Sequence, residues 1–200
     1  ERLPVTPADD EADFAFAVQW VEKFHDSADT SKGRRVYWGR VGTGVARVGD
    51  SVKVFPSGQT AVVSQVLSAT RVPQNKAAGH SAGIVLDREV DVSRGDWLLA
   101  AEGSPEGQRQ LDTTIAWMDD EPLIAGRVYW ALHGHRWVKA KVARILHSLD
   151  ITTLQEMDAS ELPANTIGHV QLSLQQPLVT MPYAQSRTLG SLVLVDTASH

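Results

Sequence analysis

Two hundred residues, 42% of them apolar, suit one large or two small globular domains, and the longest apolar run, around Leu192–Val195, falls far short of a membrane helix. The absence of cysteine excludes disulfides, thiolate nucleophiles and cysteine metal sites, and suits a reducing, cytoplasmic setting. A net charge of −5 argues against a dedicated nucleic-acid binder.

The charge is uneven along the chain. Asp9, Asp10, Glu11, Asp13, Glu22, Asp26 and Asp29 make the start acidic, whereas Lys32, Arg34, Arg35, Arg40, Arg47 and Lys53 form one basic stretch and Arg127, Arg136, Lys139, Lys141 and Arg144 another. Both basic stretches read as solvated outward faces of strands rather than as a polyanion groove. Residues 1–12, with Pro4, Pro7 and no basic segment leading into an apolar one, read as a linker or the worn end of something larger, not as a secretory signal.

Phe14, Phe16, Val18 and Trp20 alternate with Ala15, Ala17 and Gln19, which predicts a strand with one face in a core. A polar loop follows from Lys23 to Gly33. The stretch from Val36 to Gly58 organises the first half: Val36, Trp38 and Val41 sit at strand spacing, and Val52 and Val54 alternate with Ser51, Lys53 and Phe55. Gly39, Gly42, Gly44 and Gly49 interrupt the apolar runs, where glycine permits a bulge or close backbone approach. Gly49-Asp50 and Pro56-Ser57-Gly58 are turn chemistry, so the chain reverses twice. A small, strongly bent barrel meets these demands, with Gly39, Gly44, Gly49 and Asp50 as fold-critical positions.

Ala61–Leu67 predicts another strand, Pro73–His80 a loop and Ile84–Leu86 a short buried run. Arg94-Gly95-Asp96 reads as a turn feeding Trp97–Ala100 rather than as an adhesion signal. Glu102–Gln110 holds no aliphatic side chain and contains Pro105, so it predicts a linker, with residues 1–104 as linker plus first barrel and 105–200 as the second.

Ile115 and Trp117 resume strand spacing, and Met118–Glu121 is an acidic turn before Pro122. Arg127–Leu132 and Arg136–Leu146 predict two strands joined by His133-Gly134-His135. Leu149–Met157 reads as a further strand, Asp158–Asn165 has room for one helical turn, and Ile167–Leu174, Leu178-Val179 and Ser191–Val195 complete the pattern. With no sustained helical period, the fold class is all-β, two small antiparallel barrels. Trp20, Trp38, Trp97 and Trp137 lie within strand patterns, where core packing accounts for them.

For chemistry, the firmest reading is negative. Gly39 to Gly44 has the glycine separation of a phosphate loop, but Val45 stands where lysine is required and no helical pattern follows. Asn75-Lys76 looks like half of a guanine-reading motif, yet Ala78 occupies the place of its aspartate. The chain is therefore not expected to bind a nucleoside triphosphate unaided. His133 and His135 could share a strand face and grip a metal with His147 or Asp119, but Gly134 between them reads as a turn. Asp119, Asp120 and Glu121 could supply paired carboxylates, although adjacent acids point apart and are usually wet. No nucleophile elbow G-x-S-x-G appears. No residue is assigned a catalytic, cofactor-binding or metal role.

The segments VGTGVARVGDSVKVFPSG and AGIVLDREVDVSRGDWL resemble the second domain of translation-factor GTPases. More closely, Phe14–Gln19, Ser93–Asp96, Trp117–Leu123, Asn165–Gly168, Pro177-Leu178, Pro182-Tyr183, Arg187 and Gly190–Asp196 resemble the two C-terminal barrels of the bacterial sulfate adenylyltransferase large subunit, the GTPase subunit of ATP sulfurylase. The resemblance implies barrels like domains 2 and 3 of translation factors, and no catalysis by this stretch itself. It further implies a G domain outside the sequence, carrying GTP and magnesium, that drives formation of adenosine 5′-phosphosulfate and diphosphate from ATP and sulfate on a small catalytic subunit. That G domain and the small subunit are the expected partners; neither a membrane nor nucleic acid is. Ala17, where that family commonly has proline, and Lys32–Trp38, in place of its Arg-Gly-aromatic approach, depart from the pattern. The sequence reads as a fragment, stopping shortly before the family's barrel would. An RNA-binding module is the alternative, because related barrels in translation factors contact tRNA.

Overall fold

The computed structural model describes residues 10–23, 35–77 and 79–198. Of the expected loop from Lys23 to Gly33 all but Lys23, which ends the first strand, lies outside them, as do most of the expected linker over 1–12 and Lys32, Arg34 and Ala78. Among the described residues the elements are sixteen strands. The first eight are β1 (Ala15–Lys23), β2 (Arg35–Thr43), β3 (Val45–Ala46), β4 (Ser51–Phe55), β5 (Thr60–Leu67), β6 (Lys76–Ala77), β7 (Ser81–Leu86) and β8 (Trp97–Ala100). The rest are β9 (Gly107–Trp117), β10 (Leu123–Ile124), β11 (Val128–His133), β12 (Arg136–Leu149), β13 (Glu156–Met157), β14 (Glu161–Leu162), β15 (Thr166–Val179) and β16 (Val193–Asp196). No helix among the described residues is long and apolar enough to cross a membrane.

The chain forms two compact units. The first runs to Glu106 and also takes in Gly134–Arg136 and Val179–Ser191, so neither unit is a single stretch of sequence. In it, β1-β2-β7-β5-β4-β8 close into a barrel, with β8 returning to pair Ala17 with Trp97 and Ala15 with Leu99. Closure leaves those strands no free edge. Its interior is filled by Phe16, Val18, Val41, Val52, Val54, Val63, Ile84 and Leu98, the inward halves of alternating strands.

Strand β1 departs from the expected one-faced pattern. Ala15 and Ala17, expected outward, are buried against Trp97, Leu99, Val179 and Leu189, so β1 is covered on both sides over this length. A register shift between Val18 and Trp20 then turns the strand, leaving Trp20 63% exposed instead of in the core. Trp137, likewise expected inside, is half exposed, whereas Trp97 is fully buried.

Gly39 explains why β1 and β2 can approach here: a Cβ on it would lie 2.0 Å from the Ala17 carbonyl oxygen. Gly49 and Asp50 close the β4 end of the barrel through backbone bonds, Gly49 N–H to the Val63 carbonyl and Val63 N–H to the Asp50 carbonyl. The expected loop over Pro73–His80 contains the two-residue strand β6, paired with β3.

The second unit is an antiparallel sheet in the order β16-β11-β12-β15-β9, with β13 added to β12 and a separate ribbon β10-β14. Unlike the first, it does not close through hydrogen bonds among the described residues, so the second closed barrel of the sequence reading is here an open sheet. Of its end strands, β16 is only four residues long, and the first four residues of β9, Gly107–Gln110, are polar and exposed. The core lies between sheet and ribbon, with Trp117, Leu123, Tyr129, Val142, Leu162, Val170 and Leu172 buried together.

Three local expectations change in this unit. Glu102–Gln110 is not all linker, because β9 begins at Gly107; strand pairing uses backbone groups and needs no aliphatic side chain on an exposed face. Leu149–Met157 is broken by a turn in which Asp150 Oδ1 accepts from the Thr152 and Thr153 amides, leaving only Glu156–Met157 as strand. In place of the expected helical turn, Asp158–Asn165 holds the two-residue strand β14, fixed because Leu162 is fully buried and pairs with Leu123.

Candidate functional site

The histidines that sequence spacing placed together are apart in environment. His133 ends β11 and is fully buried in the second unit, whereas His135 lies in the following turn, in a segment that belongs to the first unit. Gly134 between them adopts φ +59°, and a Cβ there would lie 2.7 Å from the Trp97 ring. The two imidazoles therefore do not share a strand face. His147 lies on β12, stacked on His169 of β15 with ring centroids 5.3 Å apart. Its Nε2 is 3.5 Å from the Glu156 carboxylate, and His169 Nδ1 is 2.8 Å from Thr114 Oγ1. No group of three histidine or acidic side chains among the described residues could hold a metal ion. His169 escaped sequence reasoning because only the β12–β15 register, not any spacing, brings it opposite His147.

Asp119, Asp120 and Glu121 form a turn rather than a pair of acids. Trp117 donates its indole N–H to the Glu121 carbonyl at 2.7 Å, and Asp119 Oδ1 accepts from the Glu121 amide at 3.1 Å. The Trp117–Leu123 segment is thus a wrapped corner: Trp117 and Leu123 enter the core while Met118 is 78% exposed. Asn165–Gly168 is similar. Asn165 takes φ +60°, which asparagine tolerates better than most side chains, and a Cβ on Gly168 would lie 2.5 Å from Leu162 Cδ2.

Gly39 to Gly44 does not suit a polyphosphate. Gly39 and Gly42 lie within β2, with Gly39 paired to Val18 and Ala82, so its backbone is committed to the barrel. The groove of about 430 Å³ beside it in the first unit is lined by Asp13, Asp50 and Glu102 with Arg47 as its cation, a set that repels rather than gathers phosphate charge. These residues therefore do not fit GTP with its magnesium.

Two groups with shifted protonation, Asp96 and His135, lie at the Arg94-Gly95-Asp96 turn. Burial pushes the Asp96 carboxyl up, opposed by a hydrogen bond from the Ser93 amide and by the Arg136 guanidinium 3.3 Å away. Burial, then the Arg94 charge, holds the His135 imidazole below its ordinary range. Asp96 and Arg136 act structurally here, with Arg136 also lying 6.0 Å from the Phe55 ring centroid. The second basic stretch is accordingly not one groove: Arg136 pairs with Asp96 and Arg127 with Asp196 at 2.8 Å, while Lys139, Lys141 and Arg144 stay exposed.

Residues 110–200 match the family described as GTP-eEF1A C-terminal domain-like. Over all 200 residues the chain is 36% identical to the bifunctional enzyme CysN/CysC of Xylella fastidiosa, covering 31% of that protein. It is 35% identical over 185 residues to the bifunctional enzyme NodQ of Azospirillum brasilense, covering 92% of the chain and 29% of that relative. With sulfate adenylyltransferase subunit 1 of Sodalis glossinidius the identity is 32% over 200 residues, the whole of the chain and 41% of that relative. The chain thus spans less than half the length of these curated relatives. Crystal structures of sup35 complexed with GMPPNP and with GDP superpose with TM-scores of 0.81 and 0.83, at 17% and 16% identity. They cover 94% and 95% of the chain, and 45% and 46% of their own, which establishes the fold.

Proposed function

The chain belongs to the C-terminal β domains of the sulfate adenylyltransferase large subunit, related to the elongation-factor-Tu-like GTPase fold, and from this we infer that it is the noncatalytic scaffold of such an enzyme. In this reading the whole protein carries a G domain that binds GTP and magnesium outside these 200 residues. The two β units hold that domain against a small subunit, in the cytoplasm, where ATP and sulfate become adenosine 5′-phosphosulfate and diphosphate. They respond to the nucleotide state by moving as rigid bodies, a known way for packed modules to transmit a local change. The second unit serves as the counterpart of the second barrel, its ribbon β10-β14 covering the core that the open sheet leaves.

The observation that carries this reading is how the family-like segments are used. Trp117–Leu123 and Asn165–Gly168 are spent on a turn and on core contact, and Gly39–Gly44 on strand pairing, so the segments of greatest likeness support shape rather than chemistry. Calorimetry tests it. The chain titrated with GTP and magnesium is expected to give no binding heat, whereas the small subunit is expected to bind. Tight GTP binding by these residues alone would falsify the scaffold reading.

A further inference from the structure

The outer side of the first unit's barrel carries a small apolar cluster of its own. Val36 on β2, Leu67 on β5 and Val85 on β7 are buried there, with the partly buried Trp38 packed against them. The indole lies over Gly83, its partner in the β2–β7 register, where a Cβ would come within 2.7 Å of the ring. A seat without a side chain lets the ring approach the strand. The Trp38 Nε1–H donates to Glu22 Oε2 at 2.8 Å, and Glu22 Oε1 accepts from the Arg71 guanidinium at 2.7 Å. Glu22 stands near the end of β1 and Arg71 in the turn after β5, with β2 and β7 between those two strands in the barrel. One carboxylate thus joins three separate segments across the sheet.

Arg71 takes φ +61°, a left-handed conformation that glycine or asparagine adopts at lower cost. The turn around it is well tied without the side chain: the Ser68 amide donates to the Val72 carbonyl, the Arg71 amide to the Ser68 carbonyl, and the Val72 amide to Ser68 Oγ. A strained residue in a turn already bonded through its backbone points to a use for its side chain. That use is at Glu22. The Trp38 indole, then the Arg71 guanidinium, holds the Glu22 carboxyl below its ordinary range, so it is charged at neutral pH. The ion pair itself is partly in water, with the Arg71 and Glu22 side chains 48% and 28% exposed, so it is weak and open to screening by salt. The barrel beneath is closed by strand pairing throughout, which makes this fastening the weaker of the two and lets it release while the barrel stays folded.

We propose that the Trp38 indole is a lid on the first unit's barrel, latched by Glu22 and Arg71, and that it opens independently of the barrel to bare Val36, Leu67 and Val85. Trp20 stands directly opposite Trp38 in the β1–β2 register and is already exposed, so the open lid joins the bared cluster to it as one apolar patch. Salt screens the attraction between Glu22 and Arg71 and shifts the lid toward the open state. The lid needs nothing outside the first unit, so it stands whether or not the scaffold reading does.

The test follows hydrogen exchange of the Trp38 indole N–H in the 200-residue chain by NMR, with binding of the dye ANS as a second reading. Arg71→Gly relieves the turn but removes the guanidinium, and is expected to speed exchange about two- to fivefold at low salt, the worth of an exposed ion pair. Glu22→Ala removes the acceptor as well and is expected to speed it at least about tenfold, with ANS bound. Glu22→Gln keeps an acceptor for the indole and falls between them. Raising the salt speeds exchange in the unaltered chain toward the Arg71→Gly value and leaves Arg71→Gly nearly unchanged. Circular dichroism and exchange of the β2 and β7 amides check that the barrel stays closed. Should Glu22→Ala unfold it, Arg71→Gly and the salt series still decide. Unaltered exchange in Arg71→Gly, with no salt effect in the unaltered chain, overturns the proposal and leaves Arg71 a turn residue. A common rate for the indole and the barrel amides overturns it too, because the ring is then released only when the barrel unfolds. Faster exchange without ANS binding in a folded Glu22→Ala shows a loosened hydrogen bond rather than an opened lid, and also overturns it.

Discussion

At the scale of single residues, glycines that look alike in sequence differ in what they do. Gly39 faces the Ala17 backbone and Gly168 the Leu162 side chain, while Gly49, with φ +94°, has nothing within 4 Å of the place a Cβ would take. Gly49→Ala is therefore expected to cost only the strain of its backbone conformation, about 1 kcal/mol, whereas Gly168→Ala forces a fully buried leucine to move and costs about 1–3 kcal/mol. Urea unfolding of the two variants checks the order, and equal losses would contradict it. The cluster at the Arg94-Gly95-Asp96 turn sets a pH dependence. His135 is held below its ordinary value of 6.5, so the unfolded chain takes up this proton first, and the stability present above pH 6.5 declines as pH falls toward the folded-state value. Asp96 is raised above 3.8, so the folded chain protonates first and the sign reverses: stability is lost as pH rises through its folded-state value. His135→Gln is expected to lose less stability than the unaltered chain between about pH 7.5 and about pH 5.5, read from urea midpoints; the same slope in both would remove His135 as the cause.

At the scale of elements, the Trp117–Leu123 corner gathers several contacts into a few residues. The Trp117 ring packs edge-on against Tyr129 at 5.5 Å, and its N–H satisfies the Glu121 carbonyl. Trp117→Phe keeps an aromatic ring but strands the carbonyl, an expected loss of about 1–3 kcal/mol, and Trp117→Ala adds a cavity for about 3–5 kcal/mol in total. Asp119→Ala, which removes one exposed bond within the turn, is expected to cost under about 1 kcal/mol. Denaturant titration of the three variants separates ring, donor and turn. The strands with alternating stretches, β4, β11, β12 and β15, were legible because over most of their length a buried side chain follows a more exposed one. The two-residue strands β10, β13 and β14 were not, since a pair of residues has no period and is fixed only by what it meets. Trp20 and Trp137 misled for a related reason. Alternation shows that two faces differ, but a register shift or an unpaired sheet face decides whether the apolar one is covered.

At the scale of the molecule, the sequence suggests two consecutive domains, yet the first unit is completed by Gly134–Arg136 and Val179–Ser191. Those returns could not be read from a linear pattern, because their partners lie far away in sequence. They do matter to the barrel's outer side. Val179 and Leu189 are buried with Ala15, Ala17, Trp97 and Leu99, Gly134 lies against the Trp97 ring, and Arg136 pairs with Asp96. Losing the two aliphatic side chains alone removes burial worth about 1.5–3 kcal/mol each, a large part of a typical domain stability of about 5–15 kcal/mol. A fragment of residues 1–106 should therefore expose Trp97 and Leu99, shift tryptophan emission to the red, bind the dye ANS and melt well below the 200-residue chain. Cooperative melting of the fragment at the temperature of the whole chain, without dye binding, would show that the returns add nothing to the barrel's stability.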